Sequence, residues 1–108
     1  MSNPLRGEII WEYEGQSYTL CLPFKELIHL EEKLQKGIFE IAKLFAEGKA
    51  GLMEVTSVLW CGLRGGGESS MSFEDAGNLL TKAGFAQQLP LVMTLLSRTL
   101  SGAPYADT

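Results

Sequence analysis

The sequence predicts an α+β domain, in which an N-terminal two-stranded antiparallel β-hairpin is followed by a small bundle of about five helices. Hydrophobic residues alternate with polar ones along residues 7–22, which is the period of a half-buried strand pair. From residue 23 the hydrophobic period becomes helical and is punctuated by glycines. The 108 residues fit one domain with one modest core, so we place a single domain over residues 1–108.

The hairpin is predicted at about residues 7–22, with its turn at Glu14-Gly15, where glycine supplies a positive φ. A two-residue loop there pairs Tyr13 with Gln16 and leaves one largely polar face. The other face carries large apolar side chains, namely Ile9, Trp11, Tyr13, Tyr18, Leu20 and Leu22. Two strands alone are marginal in water, so the helices are expected to cover this face.

Five helices are predicted at about residues 23–35, 38–47, 52–63, 73–83 and 85–101. Pro23 suits the first turn of the first helix, and Ser72 suits the N-cap of the fourth. We interpret the glycines at 65–67 as a flexible stop after the third helix, and residues 102–108 as a flexible tail.

The last predicted helix is apolar over roughly 200° of its circumference, well beyond the usual stripe of about 100°. Two explanations remain open. The helix is either the centre of the bundle, surrounded by the others, or it offers part of this arc to a partner or to a second copy.

Composition excludes several classes of protein. The net charge of −4 and a pI near 4.9 argue against a nucleic-acid partner, which requires a basic surface. The longest uncharged stretch, residues 83–97, is too short to span a membrane. The N-terminus carries no pattern of an export signal, so we expect a cytoplasmic protein whose two cysteines are reduced thiols.

No catalytic, cofactor-binding or metal-binding set is predicted, so we do not expect an enzyme. His29 is the single histidine, is placed on the polar side of its helix, and has no further ligand at metal-binding spacing. Cys21 and Cys61 belong to no CxxC pair, which argues against a nucleophile or redox role. The glycines at 65–67 follow a helix and lack the Lys-Ser/Thr of a phosphate loop.

One charged residue conflicts with its surroundings. Glu31 falls at the centre of the apolar arc of the first helix, where an unpaired carboxylate would cost several kcal/mol. We expect Glu31 to bind either Arg64 or backbone N–H groups at the start of a helix or loop, as a structural contact or, alternatively, as a contact to a partner.

The order of several short motifs resembles the tail assembly chaperones of tailed phages and gene transfer agents. These motifs are Arg6-Gly7-Glu8, the stretch 14–20 across the hairpin, the stretch 27–31 with the following Gly37, the helix exit at 62–67, and Gln88-Leu89-Pro90. They extend over most of residues 6–102. The resemblance implies a non-enzymatic chaperone that binds the tape-measure protein, aids assembly of the tail tube and is absent from the finished particle.

If the resemblance holds, the surplus apolar helix surface would bind tape-measure helices and tail tube components, and homo-oligomers remain open. The residues expected to line that surface are Trp60, Leu91, Met93, Leu95, Leu96 and Leu100. Two other classes are retained as alternatives: a generic helical adaptor or homodimerisation module outside phage biology, and a small regulatory or nucleic-acid-associated protein.

Overall fold

A computed structural model describes residues 7–102 and confirms the α+β class. Two strands precede five helices: β1 (Ile9–Tyr13), β2 (Gln16–Leu20), α1 (Phe24–Leu34), α2 (Ile38–Ala46), α3 (Leu52–Gly65), α4 (Phe73–Ala83) and α5 (Phe85–Ser101). Apart from Gly102, the predicted tail lies outside the described residues. Within residues 7–102, no helix has the length and apolar character needed to cross a membrane.

The hairpin has the register that the alternating pattern predicts. Tyr13 pairs with Gln16 and Trp11 with Tyr18, and the turn residues Glu14 and Gly15 have φ of 51° and 79°. Positive φ at both positions matches the right-handed twist of the strands, as in a type I′ turn. The Trp11 ring lies 5.7 Å from that of Tyr13 and 5.4 Å from that of Tyr18. Trp11 is buried, so the helices cover the aromatic face.

The centre of the bundle is α3 rather than α5. Helix α3 packs against β2, α1, α4 and α5. Its buried residues are Val55, Thr56, Ser57, Val58, Leu59, Cys61, Gly62 and Leu63. In the longer α5, the buried residues are Val92, Leu95 and Leu96. The explanation that placed α5 at the centre is therefore wrong, and the wide apolar arc of α5 leaves part of its surface accessible.

The buried face of α1 is rotated from the predicted one towards Glu26. Glu26, Leu30 and Leu34 are buried, whereas Phe24 is 77% exposed and Ile28 is 39% exposed. The apolar arc predicted for the first helix includes Phe24 and Ile28 but not Glu26. A carboxylate with suitable partners can replace an apolar residue inside, and here it does.

The glycines at the end of α3 allow β2 to approach closely. The N–H of Cys21 donates to the carbonyl of Gly62 at 3.0 Å, which ties the chain after β2 to the helix. A Cβ at Gly65 would overlap the Cys21 carbonyl oxygen, and a Cβ at Gly66 would overlap that of Thr19. Gly65 belongs to α3 and Gly66 caps it, so these two glycines form a packing surface and not a flexible stop.

The start of α4 is fixed by Ser72, as predicted. The Ser72 hydroxyl accepts from the N–H of Asp75 at 3.0 Å, and the Asp75 carboxylate accepts from the N–H of Ser72 at 3.2 Å. This reciprocal capping box satisfies two backbone donors that the helix itself leaves without partners.

Candidate functional site

An apolar groove of about 270 Å³ lies between α2 and α5. It is lined by Ala42, Phe45, Ala46, Met93, Leu96, Ser97 and Leu100. Phe45 and Leu96 are buried at its base, and Met93 is 37% exposed. Among the described residues, no charged side chain lines this groove, so its lining suits an apolar side chain of a partner. We call it the α2–α5 groove.

Three of the residues predicted to bind a partner line the α2–α5 groove, namely Met93, Leu96 and Leu100. Leu95 is fully buried in the core, so it has no surface to offer, and this part of the prediction is wrong. Leu91 is partly buried and packs against the core. The predicted set therefore mixes residues of the groove with residues that hold the bundle together.

Trp60, the remaining member of that set, lies outside the groove. Its indole N–H donates to the Met71 carbonyl at 2.8 Å, and its ring meets that of Phe73 edge-on at 5.6 Å. The Lys33 ammonium lies 4.0 Å from the centroid of Phe73, and the Arg64 guanidinium lies 5.4 Å from that of Trp60. Cation–π contacts of this kind stabilise partly exposed rings. The contacts of Trp60 therefore hold α3 against the start of α4.

Glu31 lies at the junction of α1 and α2. One of its carboxylate oxygens accepts from the backbone N–H of Ile38 at 2.7 Å, at the first residue of α2. The contact satisfies a helix N-terminal donor and places negative charge at the positive end of the helix dipole. Arg64, the alternative partner, pairs with Glu26 instead, with 3.5 Å between Nε and a carboxylate oxygen.

Glu26 is the centre of a buried polar cluster that the sequence did not predict. Its side chain is 3% exposed. One carboxylate oxygen, Oε1, lies 3.5 Å from Nδ1 of His29, while the other, Oε2, faces Arg64. Sγ of Cys61 lies within 4.8 Å of the same carboxylate. Helices α1 and α3 thus place three polar side chains, those of His29, Cys61 and Arg64, around the Glu26 carboxyl group.

The sequence pattern of a single helix does not predict this Glu26 cluster, because its members lie on two helices. Glu26 and His29 are three residues apart, so they share a face of α1. Cys61 and Arg64 are likewise three residues apart on α3. The spacing alone indicates two short polar faces, and only the packing of α1 on α3 brings them together. The signal that could have indicated the cluster is a pair of polar residues three apart on each of two helices that pack together.

Burial dominates the chemistry of Cys61. Desolvation, followed by the charge of Glu26 and the hydrogen bond to it, raises the pKa of Cys61 from 9.0 to about 12. Folding therefore favours the neutral thiol. The free energy of unfolding therefore has its full value below pH 9 with respect to this group, and it falls as the pH rises from 9 towards 12.

We expect Cys61 to resist alkylation in the native protein. It is fully buried and its thiolate is suppressed, whereas Cys21 is partly exposed. Iodoacetamide at pH 8 should label Cys21 much faster than Cys61, and mass spectrometry of the two peptides measures the ratio. In denaturant the two rates should converge. Equal labelling of both residues in the folded protein would contradict the burial of Cys61.

A second surface depression of about 330 Å³ lies between α3 and α4. Leu52 and Met53 on its wall are 64% and 49% exposed. Its lining also includes the polar residues Glu74, Asn78 and Thr81. Because this lining is mixed, it is less suited to an apolar partner than the α2–α5 groove.

These features define an α+β domain with an accessible apolar groove between two helices. A family model described as phage tail tube protein, GTA-gp10, matches residues 6–102, and the chain belongs to this family. No curated protein and no solved structure matches the chain.

The family confirms the predicted link to phage and gene-transfer-agent tails but corrects the predicted role. Its description is that of a structural tail tube protein, so the assembly-chaperone function implied by the resemblance is wrong. An adaptor outside phage biology is also excluded by the family. Tail tube proteins are structural and are not known as enzymes, and the family suggests contacts with other tail components.

Proposed function

We propose that this chain is a structural subunit of a phage or gene-transfer-agent tail and that it acts by packing against other tail components. The observation that carries the proposal is the family match over residues 6–102. The uncharged α2–α5 groove supports it, because an accessible apolar surface on a small domain is typical of a protein–protein contact.

The partner that we propose for the groove is a second copy of the chain. Helix α1 exposes Phe24 and Ile28, which are four residues apart and form one apolar stripe. The stripe and the groove are different surfaces of one subunit. A contact between unlike surfaces of identical subunits repeats into rings or helical stacks, which is the geometry that a tube requires.

The tape-measure protein is a second candidate for the same groove. An amphipathic helix of a partner can place its apolar side chains between two helices in this way. Such a partner would use the α2–α5 groove but would not need the Phe24 stripe. The two candidates are therefore distinguished by which substitution weakens binding.

We expect Phe24→Asp and Met93→Asp each to weaken self-association. Burying a Phe or Met side chain contributes about 1.5–3 kcal/mol, so either change should weaken the contact by at least about tenfold. Sedimentation velocity of each variant measures this effect. A mixture of the two should form dimers that grow no further, because only one intact pair of surfaces remains.

Leu52→Asp is the matched control, since Leu52 is 64% exposed but lies on the α3–α4 depression. It should leave self-association unchanged. A wild-type chain that stays monomeric at high concentration would refute self-association. Capture of the tape-measure protein that is weakened by Met93→Asp and not by Phe24→Asp would then assign the groove to the second candidate.

The structural role itself is tested on purified particles. A tail subunit should be present in finished tails at many copies per particle, as quantified by mass spectrometry against the other tail proteins. Particles that assemble in its presence and then lack it would contradict a structural role.

A further inference from the structure

The Glu26 cluster contains the donor set of a metal site. Oε1 or Oε2 of Glu26, a ring nitrogen of His29 and Sγ of Cys61 all lie within 4.8 Å of one another. Carboxylate oxygen, imidazole nitrogen and thiolate sulfur are the three donor types that bind Zn²⁺ in proteins. Two helices supply them, with Glu26 and His29 one turn apart on α1 and Cys61 opposite them on α3.

The spacing of these donors is close to that of a tetrahedral zinc site. Zinc bonds of about 2.0–2.3 Å place neighbouring ligand atoms about 3.3–3.6 Å apart. Nδ1 of His29 and Oε1 of Glu26 are already 3.5 Å apart. With all three atoms within 4.8 Å, a small movement of the Cys61 and His29 side chains would bring the set to bonding distance.

The surroundings resemble the outer shell of a metal site. Arg64 lies 3.5 Å from Oε2 of Glu26 and so holds the carboxylate with Oε1 turned towards His29. The His29 side chain is 35% exposed, which gives an ion a path from solvent and leaves room for water as a fourth ligand. Arg64 and Lys33 add positive charge nearby, which lowers the affinity for a cation without removing any ligand.

We propose that Glu26, His29 and Cys61 form a binding site for Zn²⁺ or a similar transition-metal ion between α1 and α3. On binding, a bond forms from the ion to Sγ of Cys61, and the thiol proton leaves to solvent. The thiolate and the carboxylate then balance the two charges of the ion. The site is separate from the α2–α5 groove, so the proposal does not depend on the tail-contact proposal.

Cobalt provides a direct test, because a thiolate bound to Co²⁺ gives a charge-transfer band in the near ultraviolet. Chelator-treated, reduced full-length protein is titrated with Co²⁺ alone and then with Zn²⁺. We expect a saturating band that Zn²⁺ removes. His29→Ala should weaken Co²⁺ binding at least about tenfold, since it removes one of three protein ligands. Cys61→Ser should abolish the band.

Cys21→Ser is the matched control and should leave the band and the affinity unchanged. Circular dichroism verifies the fold of each variant. If Cys61→Ser fails to fold, the half-exposed His29→Ala variant decides the outcome. The proposal is overturned if folded wild-type protein gives no band, if the band is lost in Cys21→Ser, or if His29→Ala binds Co²⁺ as tightly as wild type.

Discussion

Gly66→Ala is expected to destabilise the protein by about 3 kcal/mol or more, enough to lower its Tm by more than about 10 °C. Gly66 has φ of −89° and ψ of 0°, so alanine adopts its backbone conformation without strain. The effect is steric. The new Cβ would overlap the carbonyl oxygen of Thr19, and a backbone atom cannot turn aside as the end of a side chain can. Strand β2 would have to move away from α3.

The matched control for this substitution is Gly77→Ala in α4. At Gly77 the nearest heavy atom to a new Cβ is the Thr56 methyl at 3.8 Å, which is an ordinary contact. Alanine also favours the helix over glycine by about 1 kcal/mol, so Gly77→Ala should be neutral or stabilising. Urea denaturation of both variants compares them. Equal stabilities would contradict the close approach of β2 to the end of α3.

The expected contrast between these two glycines illustrates what a sequence pattern determines. The run at 65–67 indicated correctly that a helix ends there. A glycine that terminates a helix and a glycine that admits a neighbouring backbone have the same local pattern, however. The distinction depends on β2, which lies more than 40 residues earlier in the chain. Local periodicity contains no information on that contact.

The same reasoning explains which parts of the fold were predictable. The hairpin register follows from the alternation, because a shift by one residue would expose Trp11 and Leu20 to solvent. The helices follow from their period and their glycines. The rotation of α1 does not follow from its pattern. Phe24 is more apolar than Glu26, yet Phe24 is exposed and Glu26 is buried. Glu26 is buried because Arg64 on α3 pairs with its carboxylate.

The candidate site was partly predictable for a related reason. The wide apolar arc of α5 left open either a central helix or a partner surface, and Met93 and Leu100 of that arc line the groove. The arc did not show which of its residues face α3, so Leu95 was included although it is fully buried. An amphipathic pattern identifies an apolar face, but the neighbouring helices decide which part of the face they cover.

Glu26→Gln is the second substitution for which we expect a large effect, a loss of about 3 kcal/mol in the free energy of unfolding. The Glu26 side chain is 3% exposed, and its negative charge is the partner of Arg64. Glutamine has nearly the same shape but no charge, so it leaves Arg64 partly buried without a counter-ion. Nε of Arg64 is already a buried donor with no hydrogen bond among the described residues. Urea denaturation at neutral pH measures the loss.

Glu47→Gln is the matched control, because Glu47 also pairs with two cations, Lys43 and Lys49, but its side chain is 42% exposed. Solvent screens such pairs, so this variant should lie within about 0.5 kcal/mol of wild type in its free energy of unfolding.

Replacing Glu26 and Arg64 together by methionine should recover much of the loss, since a buried pair replaced by apolar residues leaves no isolated charge. If Glu26→Gln is as stable as Glu47→Gln, Glu26 does not hold Arg64 in the folded protein. If the double variant recovers nothing, the loss in Glu26→Gln comes from His29 and Cys61, the other two side chains that contact its carboxylate.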